Sequence, residues 1–96
     1  MPEKKYEIQF HRIAKVQFSN LGKREKSIRR KAGEIINSLE SDPYDDRWGF
    51  KPLKDLEKTY SKRLSRQNRI CYEIHEIDER KVIITVLSIL GHYGDH

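Results

Sequence analysis

The sequence predicts an α+β domain in the order β-α-α-β-β-β, with two helices packed on one face of an antiparallel sheet. Three observations carry this. Residues 5–11 alternate polar and apolar at period two, residues 23–40 hold an apolar stripe at helical spacing, and residues 60–90 hold three strand-like runs. The chain has 96 residues. One domain spanning residues 1–96 is expected, with a thin core, because small domains bury a smaller share of their surface.

In Lys5–His11, the residues Tyr6, Ile8 and Phe10 fall on one face, which makes this segment the first strand. Residues 12–20 suit a short helix with Ile13, Val16 and Leu21 as its apolar contacts, and Gly22 breaks it. In residues 23–40, Ile28, Ala32, Ile35, Ile36 and Leu39 build one stripe. Lys23, Arg24, Lys26, Arg29, Arg30 and Lys31 occupy the opposite faces. Pro43, with Asp42, Asp45 and Asp46 around it, favours turns and ends the helix.

Tyr60–Ser65, Arg69–Glu76 and Lys81–Leu90 are the three later strands. The last is almost continuously apolar, as expected of a central strand covered on both faces. Side-chain parity sharpens the hairpin before it. Leu64 belongs on the core face with Ile70, Tyr72 and Ile74, which requires an odd-length loop such as Arg66-Gln67-Asn68. Arg63 and Arg69 then land together on the other face, beside Ser61, Cys71, Glu73 and His75.

Hydrophobic residues make up 35% and charged residues 36% of the chain, and no apolar run approaches the roughly 18 residues of a spanning helix. An integral membrane protein of the helical kind is thereby excluded. Residues 1–20 alternate charged and apolar residues without an h-region, so no secretory signal is expected. Cys71 is the one cysteine, which leaves no disulfide framework and no cysteine zinc site and fits a reduced, cytoplasmic setting. The net charge is +5. Residues 1–31 carry 10 Lys/Arg against 3 Asp/Glu, residues 32–50 carry 1 against 5, and residues 51–69 carry 7 against 2. Two basic blocks flanking an acidic loop suit either a polyanion partner or a solvated surface.

Arg63 and Arg69 are candidates for a phosphate clamp, since a guanidinium fork matches phosphate oxygens in bidentate fashion. The plainer alternative is a surface pair neutralised by Glu73 or an aspartate. His92 and Tyr93 directly follow the last strand, where histidine suits proton transfer near neutral pH and tyrosine suits stacking or hydrogen bonding. A frayed chain end is the competing reading. Lys51 and Lys54 fit phosphate contacts, proton transfer or plain solvation. Trp48 beside Phe50 reads as a core anchor for its loop more readily than as a base-stacking platform. His11, His75 and His96 lack metal-ligand spacing, and no metal or cofactor is expected.

The stretches Lys51-Pro-Leu-Lys54, Tyr60-Ser-Lys-Arg-Leu64, Asn68-Arg-Ile-Cys-Tyr-Glu-Ile74 and Gly91-His-Tyr93, taken in that order, resemble the YoeB (Txe) branch of the RelE-like toxins. These are the toxin halves of bacterial type II toxin–antitoxin modules. Each motif is weak alone; their combination, with the upstream β-α-α order, covers nearly the whole chain. The resemblance implies the RelE/ParE-like superfold and a ribosome-dependent endoribonuclease that cleaves mRNA without metal through attack by the RNA 2′-hydroxyl. It implies that Arg69 stabilises charge on the scissile phosphate and that Arg63 holds phosphate; by their charge, Lys54 and Lys62 are further candidates to bind phosphate or RNA. His92 would protonate the leaving 5′-oxygen, and Tyr93 would support the site.

One position departs from this pattern. The branch usually carries a glutamate as general base just before Pro-Leu-Lys, and here that position is Lys51. The base is then Lys51 or Lys54, another group such as Glu73, or the enzyme is slow. A lysine serves as a base only if its pKa falls far below its reference of about 10.4. The Gly94-Asp95-His96 extension is a second departure. Implied partners are an antitoxin of the YefM/Phd kind with an acidic tail, the ribosome with its mRNA, and, as found in this branch, a second copy as a homodimer; no membrane is implied. The alternatives are a ParE-like poison of DNA gyrase and a catalytically degenerate RNA- or ribosome-binding module.

Overall fold

The structure is a computed structural model, and it describes residues 4–21 and 26–89. Its elements are β1 (Lys5–Phe10), α1 (Arg12–Leu21), α2 (Lys26–Leu39), β2 (Lys51–Pro52), β3 (Thr59–Arg63), β4 (Arg69–Glu76) and β5 (Lys81–Ser88). The expected order holds, with one addition. The two-residue strand β2 was not expected, because Lys51 and Pro52 carry no strand pattern of their own; pairing with β3 alone makes them a strand.

The sheet order is β1-β5-β4-β3-β2. Strands β2 to β5 form an antiparallel meander, since short connections between neighbours force reversal. β1 runs parallel to β5, from Lys5 opposite Lys81 to Phe10 opposite Val86. The sheet is therefore mixed rather than wholly antiparallel. The reason is the connection: β1 joins the meander through two helices, not a tight turn, so nothing forces it to reverse.

One hydrophobic cluster joins helices to sheet. Ala14 and Leu21 of α1 and Ala32, Ile35, Ile36 and Leu39 of α2 pack with Leu64, Ile70, Tyr72, Ile74, Val82, Ile84, Val86 and Ile89. The helical spacing of the α2 residues and the alternation of the strand residues each put one apolar face into this layer. Ile35 and Leu39 are fully buried. Truncating either to alanine is expected to cost about 2–5 kcal/mol, through lost transfer energy plus the cavity left behind. His11, to which no role was assigned, accepts a hydrogen bond through Nδ1 from the Ile13 amide at 3.2 Å, at the start of α1.

β5 departs from expectation in two ways. Its inner face is fully covered, but Ile83 and Thr85 on the other face are only half-buried, so coverage is one-and-a-half-sided. It also carries a β-bulge, because Tyr72 pairs with Val86 while Cys71 pairs with Ser88. Leu87 is the extra residue. The bulge resets the pleat, so that Ser88 shares a face with Cys71 and Ile89 enters the core.

Candidate phosphate-binding site

The β3–β4 hairpin closes as parity required. Arg63 stands opposite Arg69, Ser61 opposite Cys71 and Thr59 opposite Glu73. The Leu64 amide bonds to the Asn68 carbonyl at 2.9 Å, so a three-residue loop, Ser65-Arg66-Gln67, turns the chain. Leu64, Ile70, Tyr72 and Ile74 thereby face the core, and the two arginines share the opposite face.

Arg69 is nearly enclosed, at 6% exposure. Its Nε donates to Ser61 Oγ at 2.9 Å, and Nη2 donates to the Gly49 carbonyl. Both acceptors are neutral. Among the described residues no carboxylate makes an ion pair with Arg69 or Arg63. Like charges directly opposite on a sheet repel. Burial, and then the charge of Arg63, push the Arg69 guanidinium below its ordinary pKa. The surface-pair alternative required a neutralising Glu73 or aspartate; Glu73 instead lies beside His75, with its Oε1 3.5 Å from Nε2. A guanidinium oriented by two neutral acceptors, repelled by its neighbour and without a counter-ion among the described residues has the chemistry to receive an external anion.

Lys51 joins this face. It pairs opposite Ser61 on the edge strand β2, so Lys51, Ser61, Cys71 and Ser88 form one row across four strands, next to the Arg63–Arg69 row. Lys51 and Arg63 are exposed, and Cys71 is buried. Ser88 Oγ is the one buried side-chain polar atom without a hydrogen-bond partner among the described residues. Lys54 is exposed in the turn that follows β2. His92 and Tyr93, expected at this site, lie outside the described residues.

Lys62 requires a correction. Expected at the phosphate, it lies one residue from Arg63 and therefore on the opposite face of β3. Its side chain is fully buried. Nζ donates to Asp45 Oδ1 at 2.7 Å, to the Asp45 carbonyl at 2.9 Å and to the Arg47 carbonyl at 3.2 Å. The Trp48 and Phe50 rings flank it at 5.4 and 5.2 Å. Arg47 and then Lys62, through hydrogen bonds to the carboxylate, hold Asp45 well below the usual carboxylate range.

Trp48 anchors its loop, as expected, and half-buried it packs against the core cluster. It also adopts φ +55°, followed by Gly49 at +61°. Glycine enters that region freely, whereas a non-glycine residue there costs roughly 1–2 kcal/mol. The gain is local. The Trp48 carbonyl accepts from the Arg63 amide, and the next carbonyl, that of Gly49, reaches Arg69. Behind the loop, Tyr60 stacks on Phe50 at 5.4 Å, and Tyr72 donates to the Pro43 carbonyl at 2.9 Å. Parity placed Ser61 on the arginine face without revealing that it orients Arg69. The Gly49 carbonyl left no sequence signal, because a backbone group carries none.

No family model matches the sequence, and no curated protein matches it. Solved structures do. A YoeB/ParE toxin from Agrobacterium tumefaciens superposes with a TM-score of 0.80 at 16% identity, covering 91% of this chain and 99% of its own. A YoeB dimer from Staphylococcus aureus gives 0.76 at 22% identity, with 93% and 99% covered. The RelE–RelB complex from Pyrococcus horikoshii gives 0.70 at 19% identity, with 95% and 99% covered. The fold is thus that of the YoeB- and RelE-like toxins, over nearly the full length of both partners.

Proposed function

We propose that this chain, which has the YoeB/RelE toxin fold, is the toxin of a type II toxin–antitoxin pair and cleaves mRNA bound to the ribosome. One observation carries the reading: Arg63 and Arg69 face each other without a carboxylate counter-ion among the described residues, and neutral acceptors hold Arg69 in place. In-line attack by a 2′-hydroxyl concentrates negative charge on the phosphoryl oxygens. A pre-oriented guanidinium stabilises that charge with no reorganisation at the moment of reaction. The products are a 2′,3′-cyclic phosphate, open to conversion into a 3′-phosphate, and a 5′-hydroxyl.

Arg69 takes the developing charge, and the exposed Arg63 and Lys54 hold phosphate nearby. Lys51, in the adjacent row, is the candidate to receive the 2′-hydroxyl proton. His92 gives a proton to the leaving 5′-oxygen, and Tyr93 supports it. His92 is four residues beyond Ser88, so it lies within about 14 Å of that position even with the chain fully extended. Ser88 pairs with Cys71, one strand spacing of about 4.8 Å away, and Arg69 is two residues, or about 7 Å, further along β4. The chain is therefore long enough to bring His92 to the arginines. Nothing in this chemistry calls for a metal, and no group of metal-ligating side chains stands among the described residues.

The antitoxin partner follows from the same reading. The S. aureus YoeB and P. horikoshii RelE structures include complexes with YefM and RelB. Here Lys26, Arg29 and Arg30 border a surface groove with Phe18 and Gly33, a suitable seat for an acidic tail. No helix among the described residues is long and apolar enough to cross a membrane.

The test is cleavage of a defined mRNA with and without programmed ribosomes, with 5′ ends mapped by primer extension. Ribosome-dependent cleavage is expected, reduced about 10²–10⁴-fold in His92→Ala. A fully active His92→Ala variant, or intact mRNA in every tube, would overturn the reading. The presence of Lys51 where the YoeB pattern has a glutamate favours one rival, a gyrase poison. Its mark would be DNA damage with intact mRNA.

A further inference from the structure

We propose that Lys62 is a positioning residue: its buried ammonium clasps residues 45–47 and so holds the Trp48–Gly49 backbone where the Gly49 carbonyl orients Arg69. This deepens the reading of Arg69 as the phosphate-stabilising group and rests on it.

All three ammonium protons of Lys62 have acceptors: Asp45 Oδ1, the Asp45 carbonyl and the Arg47 carbonyl. Two of these are backbone groups, so the clasp grips the main chain just ahead of Trp48. Trp48 holds an unfavourable positive φ, and Gly49 follows with another. Such backbone persists only where its surroundings over-determine it. Lys62 supplies much of that determination, because the same ammonium lies 5.4 Å from the Trp48 ring centroid and 5.2 Å from that of Phe50. Arg47 closes the outer side of Trp48 at 4.5 Å. The strained pair then delivers two carbonyls to the arginine face, that of Trp48 to the Arg63 amide and that of Gly49 to Arg69 Nη2. β3 thus works on both faces at once. Lys62 grips the loop from the core side, and the loop folds over the strand edge to hold Arg69 on the other.

A filler role for Lys62 makes a different prediction. If its stem only packed the core, methionine of similar length would fill the same space without consequence at Arg69. Asp45 would not be stranded, because it is 20% exposed and keeps its contacts to Arg47. Lys62→Met is therefore expected to fold.

The experiment uses the full chain labelled with ¹⁵N. The Arg69 Nε–H resonance, assigned by its disappearance in Arg69→Lys, should exchange slowly with water in the parent chain, because it donates to Ser61. In Lys62→Met the resonance should move toward those of exposed arginines and exchange at least about tenfold faster, while the amides of Ile74 and Ile84 stay in place. Ribosome-bound cleavage should slow by about 10²-fold with ribosome affinity unchanged, as expected when a catalytic group is misplaced by about 1 Å. An Arg69 resonance that does not move in the folded variant would overturn the clasp. Should Lys62→Met not fold, Asp45→Asn leaves both carbonyl acceptors and removes the ionic contact. It should shift the same resonance in the same direction by less, and no shift there would also overturn the proposal. The resonance is read without RNA. Movement in a chain that never cleaves mRNA would support the clasp and count only against the ribonuclease reading.

Discussion

Arg63 and Arg69 stand directly opposite each other on β3 and β4, two positive charges with no carboxylate between them among the described residues. Their separate circumstances divide the labour. Arg63 is exposed and free to follow a ligand, whereas Arg69 is enclosed and oriented by Ser61 and Gly49.

Arg69→Lys keeps the charge and loses the fork. A lysine ammonium cannot reproduce the bond to Ser61, the bond to Gly49 and a bidentate phosphate contact together. Cleavage on programmed ribosomes should fall about 10²–10³-fold, the size of losing an oriented donor to developing charge. Single-turnover rates measure this, and a rate within threefold of the parent would contradict it.

Ser61→Ala removes one acceptor from a nearly buried guanidinium. A hydrogen bond to a charged group contributes about 1.5–3 kcal/mol. Urea unfolding should show a loss near the lower end of that range, because Arg69 retains the Gly49 carbonyl and a path to water. Cleavage should fall as well, by less than in Arg69→Lys.

The Asp45 carboxylate gives stability a pH dependence of definite sign. Its folded pKa lies well below its unfolded value of about 3.8. The stabilisation it supplies is therefore complete above about pH 4 and drains away as pH falls toward the folded value. Thermal midpoints measured from pH 6 to pH 2 should drop below pH 4, and Asp45→Asn should flatten that limb. Tyr44 acts at the other end. Burial, and then the Glu76 carboxylate that accepts its hydroxyl bond at 3.2 Å, push it up to about 12. The folded state favours the neutral phenol, so this contribution is lost as pH rises from 10 to 12, and Tyr44→Phe should remove that loss.

Lys51 is tested by two substitutions. Lys51→Ala should slow cleavage by about 10²-fold, the lower end for a lost proton-transfer group. Lys51→Glu, which restores the carboxylate of the YoeB pattern, should recover most of what alanine loses. Equal rates for all three chains would remove Lys51 from the chemistry.

Much of this was legible in local pattern. The apolar stripe of α2 and the alternation of β1, β3 and β4 follow periods of 3.6 and 2, which are properties of neighbours along the chain. Parity through the Arg66-Gln67-Asn68 region was enough to put Arg63 and Arg69 on one face, although the loop closes one residue earlier. The same rule had the information to turn Lys62 inward. Its charge suggested phosphate, but its position next to Arg63 on a strand puts it on the other face.

The sequence by itself determined the order of elements, most residues of the core and the shared face of the two arginines, because each depends on repeat and register. It missed α1, where Ile13 and Val16, expected as core contacts, are exposed and Ala14 is buried instead. The tertiary structure alone decided that β1 runs parallel to β5, that Lys51–Pro52 becomes a strand, and that a bulge at Leu87 turns Ser88 toward the arginine face. It also decided that Lys62 and the Trp48–Gly49 backbone meet across β3. These outcomes depend on backbone carbonyls, on left-handed φ angles and on contacts between residues distant in sequence. None of them leaves a periodic trace in the side chains, so only the folded arrangement could show how Arg69 is held.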